Sequence, residues 1–176
     1  MMRKIFILTI LLLISFQSKT LAYDCKFGKI KIHTSNSNLQ LGPTFMPLTY
    51  SANGKPSSMI GPIEELCKES DETNGIIVKL FFLDNKLVRI IFENAIIKNR
   101  ILFKIANETY DVGFKKNQKK INKKETETYT VNKTDNLYFY GNFKGDNEFL
   151  EYFEITSNKY KDKFNEELLK REPKND

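Results

Sequence analysis

The sequence predicts an α+β fold in which an antiparallel β-meander sheet of about seven to nine strands carries a short central helix and a C-terminal amphipathic helix. Short apolar and β-branched runs alternate with turn residues through the middle of the chain, which is typical of consecutive hairpins. Near the C-terminus the hydrophobic spacing changes from two to about four residues, which indicates a helix. The length of 176 residues fits one domain, and the 40% hydrophobic content argues against disorder.

The first element along the chain is a predicted secretory signal peptide, residues 1–22. Arg3 and Lys4 precede an almost unbroken apolar run from Ile5 to Phe16, and Ala22 offers a small residue for cleavage. The run holds about twelve residues, whereas a membrane span needs about twenty, so a retained membrane anchor is the less favoured alternative. The protein is therefore expected to be periplasmic or secreted, from a bacterial source.

Residues 23–176 are predicted to form a single domain with a small positive charge. The full chain has 28 Lys and Arg residues against 22 Asp and Glu residues, a formal net charge of +6. Three of those cations and none of the anions lie in residues 1–22, so the domain keeps a charge of +3. This surplus is too small to indicate a nucleic-acid partner.

Cys25 and Cys67 are the two cysteines of the chain and are predicted to form a disulfide. An exported protein folds in an oxidising compartment, where a lone pair of thiols usually forms a bridge. The bridge would close a loop of about forty residues and stabilise the fold by roughly 4 kcal/mol on the loop-entropy model. Two free thiols are the alternative. Since His33 is the only histidine, the sequence indicates neither a catalytic Cys–His pair nor a metal site, and no cofactor is predicted.

The domain is predicted to begin with a strand at residues 26–33, which alternate between two faces in the manner of a half-buried strand. Residues 34–61 are rich in Ser, Asn, Pro and Gly. We interpret them as a long connection that holds short strands near Leu39 to Leu41 and near Phe45 to Tyr50.

The short central helix is predicted after Pro62. Proline fits the first turn of a helix because its missing N–H is not needed there. Ile63, Leu66 and Cys67 would share the buried face, and the helix would last about two or three turns and end before Gly75.

The next part of the chain is predicted to form three hairpins and one further strand. Each hairpin consists of two apolar or alternating runs around a short polar turn, such as Asp84-Asn85-Lys86. The strands are 76–83 with 87–92, 101–106 with 109–114, and 125–131 with 137–143, followed by 149–156. Both faces of the first hairpin are largely apolar, which predicts a central position in the sheet with a helix over it.

The chain is predicted to end in an amphipathic helix at about 158–171. Tyr160, Phe164 and Leu168 follow one another at spacings of four, and Pro173 ends the pattern. We expect this helix to pack on the sheet. Docking on a partner and lying on a membrane surface are the alternatives.

A Lys-rich loop, residues 115–124, is the most unusual local feature. Its polar composition predicts a solvated loop, and the alternative is a contact arm for an anionic surface such as phospholipid head groups, lipopolysaccharide phosphates or an acidic protein. Its lysines fall in three pairs spaced by four: Lys115, Lys116, Lys119, Lys120, Lys123 and Lys124.

The sequence contains no catalytic motif, and the function it favours is non-catalytic binding of another envelope or secreted protein, in the manner of an inhibitor or immunity protein. Tyr138, Tyr140 and Tyr152 are predicted to share an exposed sheet face that such a partner could contact, unless the C-terminal helix covers it.

Two other functions remain open at the level of sequence. An envelope-associated protein would contact anionic lipid or lipopolysaccharide through the Lys-rich loop. A secreted hydrolase would use carboxylates that the fold gathers, and the acidic pairs Glu64 with Glu65 and Asp71 with Glu72 are its candidates. The oligomeric state is not predicted.

Overall fold

The computed structural model describes residues 30–67, 71–96, 99–115, 125–145 and 148–169. These residues form one antiparallel sheet of seven strands with two α-helices, one in the middle of the chain and one near its C-terminus, so the predicted α+β class is confirmed. The elements are β1 (Met46–Tyr50), β2 (Pro56–Pro62), β3 (Ile77–Leu83), β4 (Lys86–Asn94), α1 (Ile101–Glu108), β5 (Glu125–Asn132), β6 (Asn136–Lys144), β7 (Phe149–Ser157) and α2 (Lys161–Leu169).

The strand order of the sheet differs from a single meander. The order is β1-β2-β3-β4-β7-β6-β5, and every neighbouring pair is antiparallel. Two meanders, β1–β4 and β5–β7, are therefore joined through β4 and β7, where Ile90 lies opposite Ile155 and Phe92 lies opposite Phe153. All four side chains are buried, which explains why the last strand of the chain takes a central position.

The β3–β4 hairpin confirms the clearest prediction from the sequence. Leu83 pairs with Lys86, so Asp84 and Asn85 alone form the turn, with φ angles of 51° and 63°. Two successive residues with positive φ form the type I′ turn that suits the twist of a hairpin, and Asp and Asn tolerate that conformation. Asn85 also donates a hydrogen bond to Ser35 Oγ (3.0 Å), which ties the turn to the N-terminal segment.

The two faces of the sheet have different surroundings. We call one the helix-covered face, because the buried residues of α1 pack on it. Its side chains come from alternate residues of the central strands, namely Val78, Leu80, Ile90, Phe92, Tyr138, Tyr140, Phe153 and Ile155. We call the opposite side the open face, which carries the residues between these, including Ile77, Lys79, Arg89, Glu93, Phe139, Phe143, Leu150, Tyr152 and Glu154.

Helix α1 occupies residues that the sequence assigns to a strand, so the predicted hairpin of 101–106 with 109–114 is wrong. The four buried residues of α1 recur at helical spacing and form a single face: Ile101, Leu102, Ile105 and Ala106. A short apolar run fits a strand and a helix equally well by its periodicity alone. After α1, residues 110–115 continue without regular structure.

The central helix predicted after Pro62 is also wrong, since this stretch forms two 3-10 turns, Ile63–Glu65 and Asp71–Thr73. The Ile63 N–H donates to the Ile76 carbonyl (2.9 Å), so the backbone remains paired for one residue beyond β2. The turn closes with the 3-10 bond from Leu66 N–H to the Ile63 carbonyl (2.8 Å) in place of an α-helical bond. The predicted inner face is nevertheless buried: Ile63, Leu66 and Cys67 are each at most 2% exposed.

The N-terminal segment differs from the strand predicted at 26–33. Of these residues the structure describes 30–33, which form an irregular stretch with a turn, and His33 has a positive φ of 73°. Two backbone bonds nevertheless attach the segment to β4, because His33 N–H donates to the Leu87 carbonyl and Leu87 N–H donates to the Thr34 carbonyl. The segment therefore lies beside the sheet without joining it as a strand.

Two strands occupy the predicted connection of residues 34–61. β1 confirms the strand predicted near Phe45 to Tyr50, whereas residues 39–41 are irregular. The sequence does not predict β2, because its Pro, Ser and Gly content is typical of a loop. Gly61 suits β2 for a tertiary reason: the Phe45 ring lies against it, and a Cβ at this position would come within 2.6 Å of the ring.

Helix α2 confirms the predicted C-terminal helix over a shorter described range, 161–169 against about 158–171. Phe164 packs with Leu83 and Val88, so α2 packs on the sheet as expected and covers one end of its open face. No helix in the described ranges is long and apolar enough to cross a membrane.

Candidate functional site

The candidate site residues named from the sequence lie mostly outside the described structure. The structure does not describe the predicted signal peptide (residues 1–22), Cys25 or most of the Lys-rich loop. Lys115, at the start of that loop, is described and is exposed. Cys67 is 2% exposed, and the described part of the chain contains no free cysteine. The Cys25–Cys67 disulfide and the contact of the Lys-rich loop with an anionic surface therefore stay predictions. The lysines of that loop outside the described residues are Lys116, Lys119, Lys120, Lys123 and Lys124.

The first acidic pair, Glu64 with Glu65, makes hydrogen bonds to neighbouring loops. Glu64 accepts a hydrogen bond from Gly75 N–H (2.7 Å), and Glu65 accepts one from the Thr44 hydroxyl (3.0 Å). In the second pair, Glu72 is exposed on a 3-10 turn. Within the ranges that the structure describes, no three His, Cys, Asp or Glu side chains are grouped as metal ligands would be.

The three tyrosines predicted to share one exposed face do not do so, and this prediction is wrong. Tyr138 and Tyr140 lie on the helix-covered face and are 8% and 0% exposed. Tyr152 lies opposite Gly141, one residue out of step with Tyr140, and so points to the open face. Because side chains alternate along a strand, the pairing register alone decides which tyrosines share a face.

A polar network at the centre of the open face surrounds Glu154. The Arg89 guanidinium donates to Glu154 Oε2 (2.7 Å), and the hydroxyls of Tyr152 and Thr156 donate to the same carboxylate. Burial would by itself raise the pKa of Glu154, but the hydrogen bonds and charge of Arg89, with the hydroxyl donors, outweigh burial and lower that pKa below its ordinary value. Burial also raises the pKa of Tyr152, which keeps its hydroxyl a donor.

A second ion pair lies on the same face, where Lys79 Nζ donates to both oxygens of Glu93 (2.7 and 2.8 Å). Each of the two side chains is 28% exposed. Together with Arg89 and Glu154, this part of the open face holds two cations and two anions, all paired with one another. Its charges therefore compensate locally.

Apolar and aromatic side chains surround these ion pairs on the open face. Ile77, Phe143 and Leu150 are 42%, 37% and 39% exposed, and Phe143 lies directly opposite Leu150 across the β6–β7 pair. The Phe139 and Tyr152 rings meet edge to face with centroids 5.9 Å apart. The open face therefore combines partly exposed apolar side chains with ion pairs whose charges compensate one another.

The helix-covered face carries one buried acid, Glu151, whose side chain has no exposed surface. Its oxygens accept three hydrogen bonds of 3.0 Å each, from Asn94 Nδ2, the Tyr140 hydroxyl and the Phe103 N–H. Phe103 is the third residue of α1, whose preceding residue, Arg100, makes no side-chain cap. Glu151 of β7 therefore caps α1 from a neighbouring strand and serves the fold, since its oxygens are already engaged.

A cleft of about 360 Å³ lies on the helix-covered side of the sheet. Ile90, Ile155 and Tyr138 form one row across β4, β7 and β6 and provide its floor. The N-terminal segment lies along the floor, and further walls come from the end of α1 and the β5–β6 turn. These wall residues are Ile30, Lys31, Ile32, His33, Thr109, Tyr110, Asp135 and Asn136.

The polar groups of the cleft fall into two sets. His33 Nε2 lies 2.7 Å from Ser157 Oγ, and its ring contacts Tyr160 edge to face, so this histidine is held at the rim. The Tyr110 hydroxyl and Asn136 Oδ1 are buried and have no hydrogen-bond partner in the structure. Burial raises the pKa of Tyr110, so its hydroxyl keeps the proton it can donate.

The sequence does not single out Arg89, Glu154, Glu151 or the cleft as candidates. The one local signal is Glu151, which interrupts an otherwise apolar face in the predicted strand 149–156. Family models, curated proteins and solved structures were all compared with this chain, and none of them matches it.

Proposed function

We propose that the protein is an exported, non-catalytic binding protein that docks another envelope or secreted protein on the open face of its sheet, in the manner of an inhibitor or immunity protein. The observation that carries this proposal is the chemistry of that face. Exposed Ile77, Phe143 and Leu150 lie beside charges that are already paired. Export is proposed from the layout of residues 1–22.

The chemistry of this face favours a folded protein as the partner. Lys79 and Arg89 already have counter-ions in Glu93 and Glu154, so these cations attract the phosphates of lipid head groups or nucleic acid less than unpaired cations would. A partner surface with its own apolar centre and polar rim would bury the exposed aliphatic and aromatic side chains without breaking either ion pair.

The test compares the wild type with Leu150→Asp, which places a charge among the exposed apolar side chains, and with Ile96→Asp as the matched control. Ile96 is 69% exposed, lies two residues beyond the end of β4 and is not one of the three open-face residues named above. A partner captured from an envelope extract is purified and titrated by calorimetry. We expect Leu150→Asp to weaken binding about ten-fold or more and Ile96→Asp to leave it unchanged.

Four results would contradict the proposal. The purified partner could bind Leu150→Asp as tightly as the wild type. The face could be buried in a homodimer, shown by a doubled mass in light scattering that Leu150→Asp returns to a monomer. The protein could hydrolyse a substrate in a reaction that a single carboxylate substitution abolishes, or bind anionic vesicles in a salt-dependent way that neutralising the Lys-rich loop removes.

A further inference from the structure

We propose that the cleft between the N-terminal segment and the end of α1 binds a small, uncharged amphipathic molecule with an apolar body and one alcohol or amide group. The cleft lies on the other side of the sheet from the open face, so this inference does not depend on the proposed function.

The floor of the cleft suits an apolar body. Ile90 and Ile155 lie opposite each other in neighbouring central strands, and Ile30 adds a third branched side chain from the N-terminal segment. Tyr138 extends the floor by one strand with an aromatic ring. A volume of about 360 Å³ is within the range of small-molecule sites, roughly 300–1,000 Å³, which are mostly apolar with a few convergent polar groups.

The two unpaired polar atoms of the cleft suit one hydrogen-bonding group. The Tyr110 hydroxyl has a proton to donate, and Asn136 Oδ1 is an acceptor. Buried polar atoms without partners are uncommon in folded proteins, because each one forfeits its hydrogen bonds to water. An alcohol or a primary amide both accepts and donates, so it would satisfy an atom of each kind.

The charged residues at the walls argue against a charged ligand. Lys31 and Asp135 place one charge of each sign at the walls, so a charged ligand of either sign would meet a like charge as well as an opposite one. Each charge would also lose water over an isoleucine floor without a dedicated counter-ion. A neutral ligand avoids both costs.

Titration of the ¹⁵N-labelled protein with benzyl alcohol, benzamide and benzoate tests the inference by NMR. We expect the two neutral probes to shift amides of 30–33, 109–110 and 135–136 in a saturable way, and benzoate to bind more weakly. Tyr110→Phe removes the orphaned hydroxyl and is expected to weaken benzyl alcohol binding by about five-fold, in line with the loss of one hydrogen bond. Tyr152→Phe, on the opposite face, is the matched control and is expected to bind normally.

Thermal melts of the same variants separate binding from folding. An unpaired hydroxyl costs stability, so Tyr110→Phe is expected to melt no lower than the wild type. The proposal is overturned if none of the probes shifts the cleft residues, if benzoate binds as tightly as benzyl alcohol, or if Tyr110→Phe binds benzyl alcohol as well as the wild type does.

Discussion

At the scale of single residues, two glutamates three positions apart on β7 have opposite environments. Glu151 points to the helix-covered face and is held by three neutral donors, whereas Glu154 points to the open face and is paired with Arg89. The alternation of a strand places them on different sides of one sheet. Both act on the fold through partners that are distant in sequence.

Glu151→Ala is expected to be strongly destabilising. The change leaves Asn94 Nδ2, the Tyr140 hydroxyl and the N–H of Phe103 buried without their acceptor, and we expect a loss of about 3 to 5 kcal/mol in the free energy of unfolding. Urea denaturation measures this loss. The control is Glu148→Ala at a nearby exposed position, whose free energy of unfolding should stay within about 0.5 kcal/mol of the wild type. A loss below about 1 kcal/mol would show that Glu151 is not the cap of α1.

Glu154→Gln tests the polar network through its pH dependence. The pKa of Glu154 is lowered in the folded state, so its contribution is present above the unfolded value of about 4.3 and is lost as the pH falls through the folded value. We expect Glu154→Gln to be less stable than the wild type at pH 7 and the difference to shrink as the pH falls below about 4. Denaturation curves across this range measure it.

The control for that experiment is Glu166→Gln, an exposed residue of α2. Its stability should follow the wild type across the pH range. A constant difference between Glu154→Gln and the wild type, independent of pH, would show that the substitution acts through packing and not through the charge of Glu154.

At the scale of elements, α2 depends on one aromatic residue. Phe164 is 6% exposed and packs with Leu83 and Val88, and its ring meets that of Phe81 edge to face with centroids 5.6 Å apart. The Arg89 guanidinium lies 5.8 Å from the centroid of the Phe164 ring. Lys163 of α2 also pairs with Asp84 (2.7 Å), but both side chains are more than half exposed, and such surface pairs contribute little to stability.

Phe164→Ala is therefore expected to detach α2. We expect a loss of about 3 kcal/mol in the free energy of unfolding, and faster hydrogen exchange at 161–169 than in β4. Asn165→Ala, at the exposed neighbouring position, should retain the wild-type exchange rates. Unchanged protection of α2 in Phe164→Ala would mean that other contacts hold the helix.

At the scale of the whole molecule, the β4–β7 junction unites two sheet halves that are separate in sequence. Phe92 and Phe153 lie opposite each other there, and their rings stack with centroids 5.7 Å apart. Between the two halves in the chain order stands α1, whose buried residues pack on the helix-covered face. The N-terminal segment is attached beside β4 by backbone bonds at His33 and Thr34, close to the start of the predicted disulfide loop.

The predicted Cys25–Cys67 disulfide belongs to this scale because it would connect the N-terminal segment to the core. We expect the protein, purified without reductant and unfolded in guanidinium, to show no free thiol, and reduction to lower the free energy of unfolding by roughly 4 kcal/mol. The double variant Cys25→Ser/Cys67→Ser should be insensitive to reductant. Titration of two thiols in the unreduced protein would contradict the bridge.

The sequence predicts much of the sheet because the relevant signals are local. The turn Asp84-Asn85, the alternation in β6 and β7, and the spacing around Phe164 each depend on residues within a few positions of one another. The candidate sites could not be predicted from such local signals, because their residues are far apart in the sequence. Arg89 and Glu154 are 65 residues apart, and Glu151 and Asn94 are 57 apart, so only the pairing of β4 with β7 brings them together.

The sequence by itself determined the α+β class, the runs that became β1 and β3 to β7, and the C-terminal helix, because periodicity and turn chemistry act along the chain. Only the tertiary structure decided the strand order, the helical state of 101–108 and the side of the sheet on which each tyrosine lies. Those outcomes depend on burial against partners far away in sequence. Glu151 illustrates the difference: its role as the cap of α1 exists only because the fold places the N-terminus of that helix beside β7.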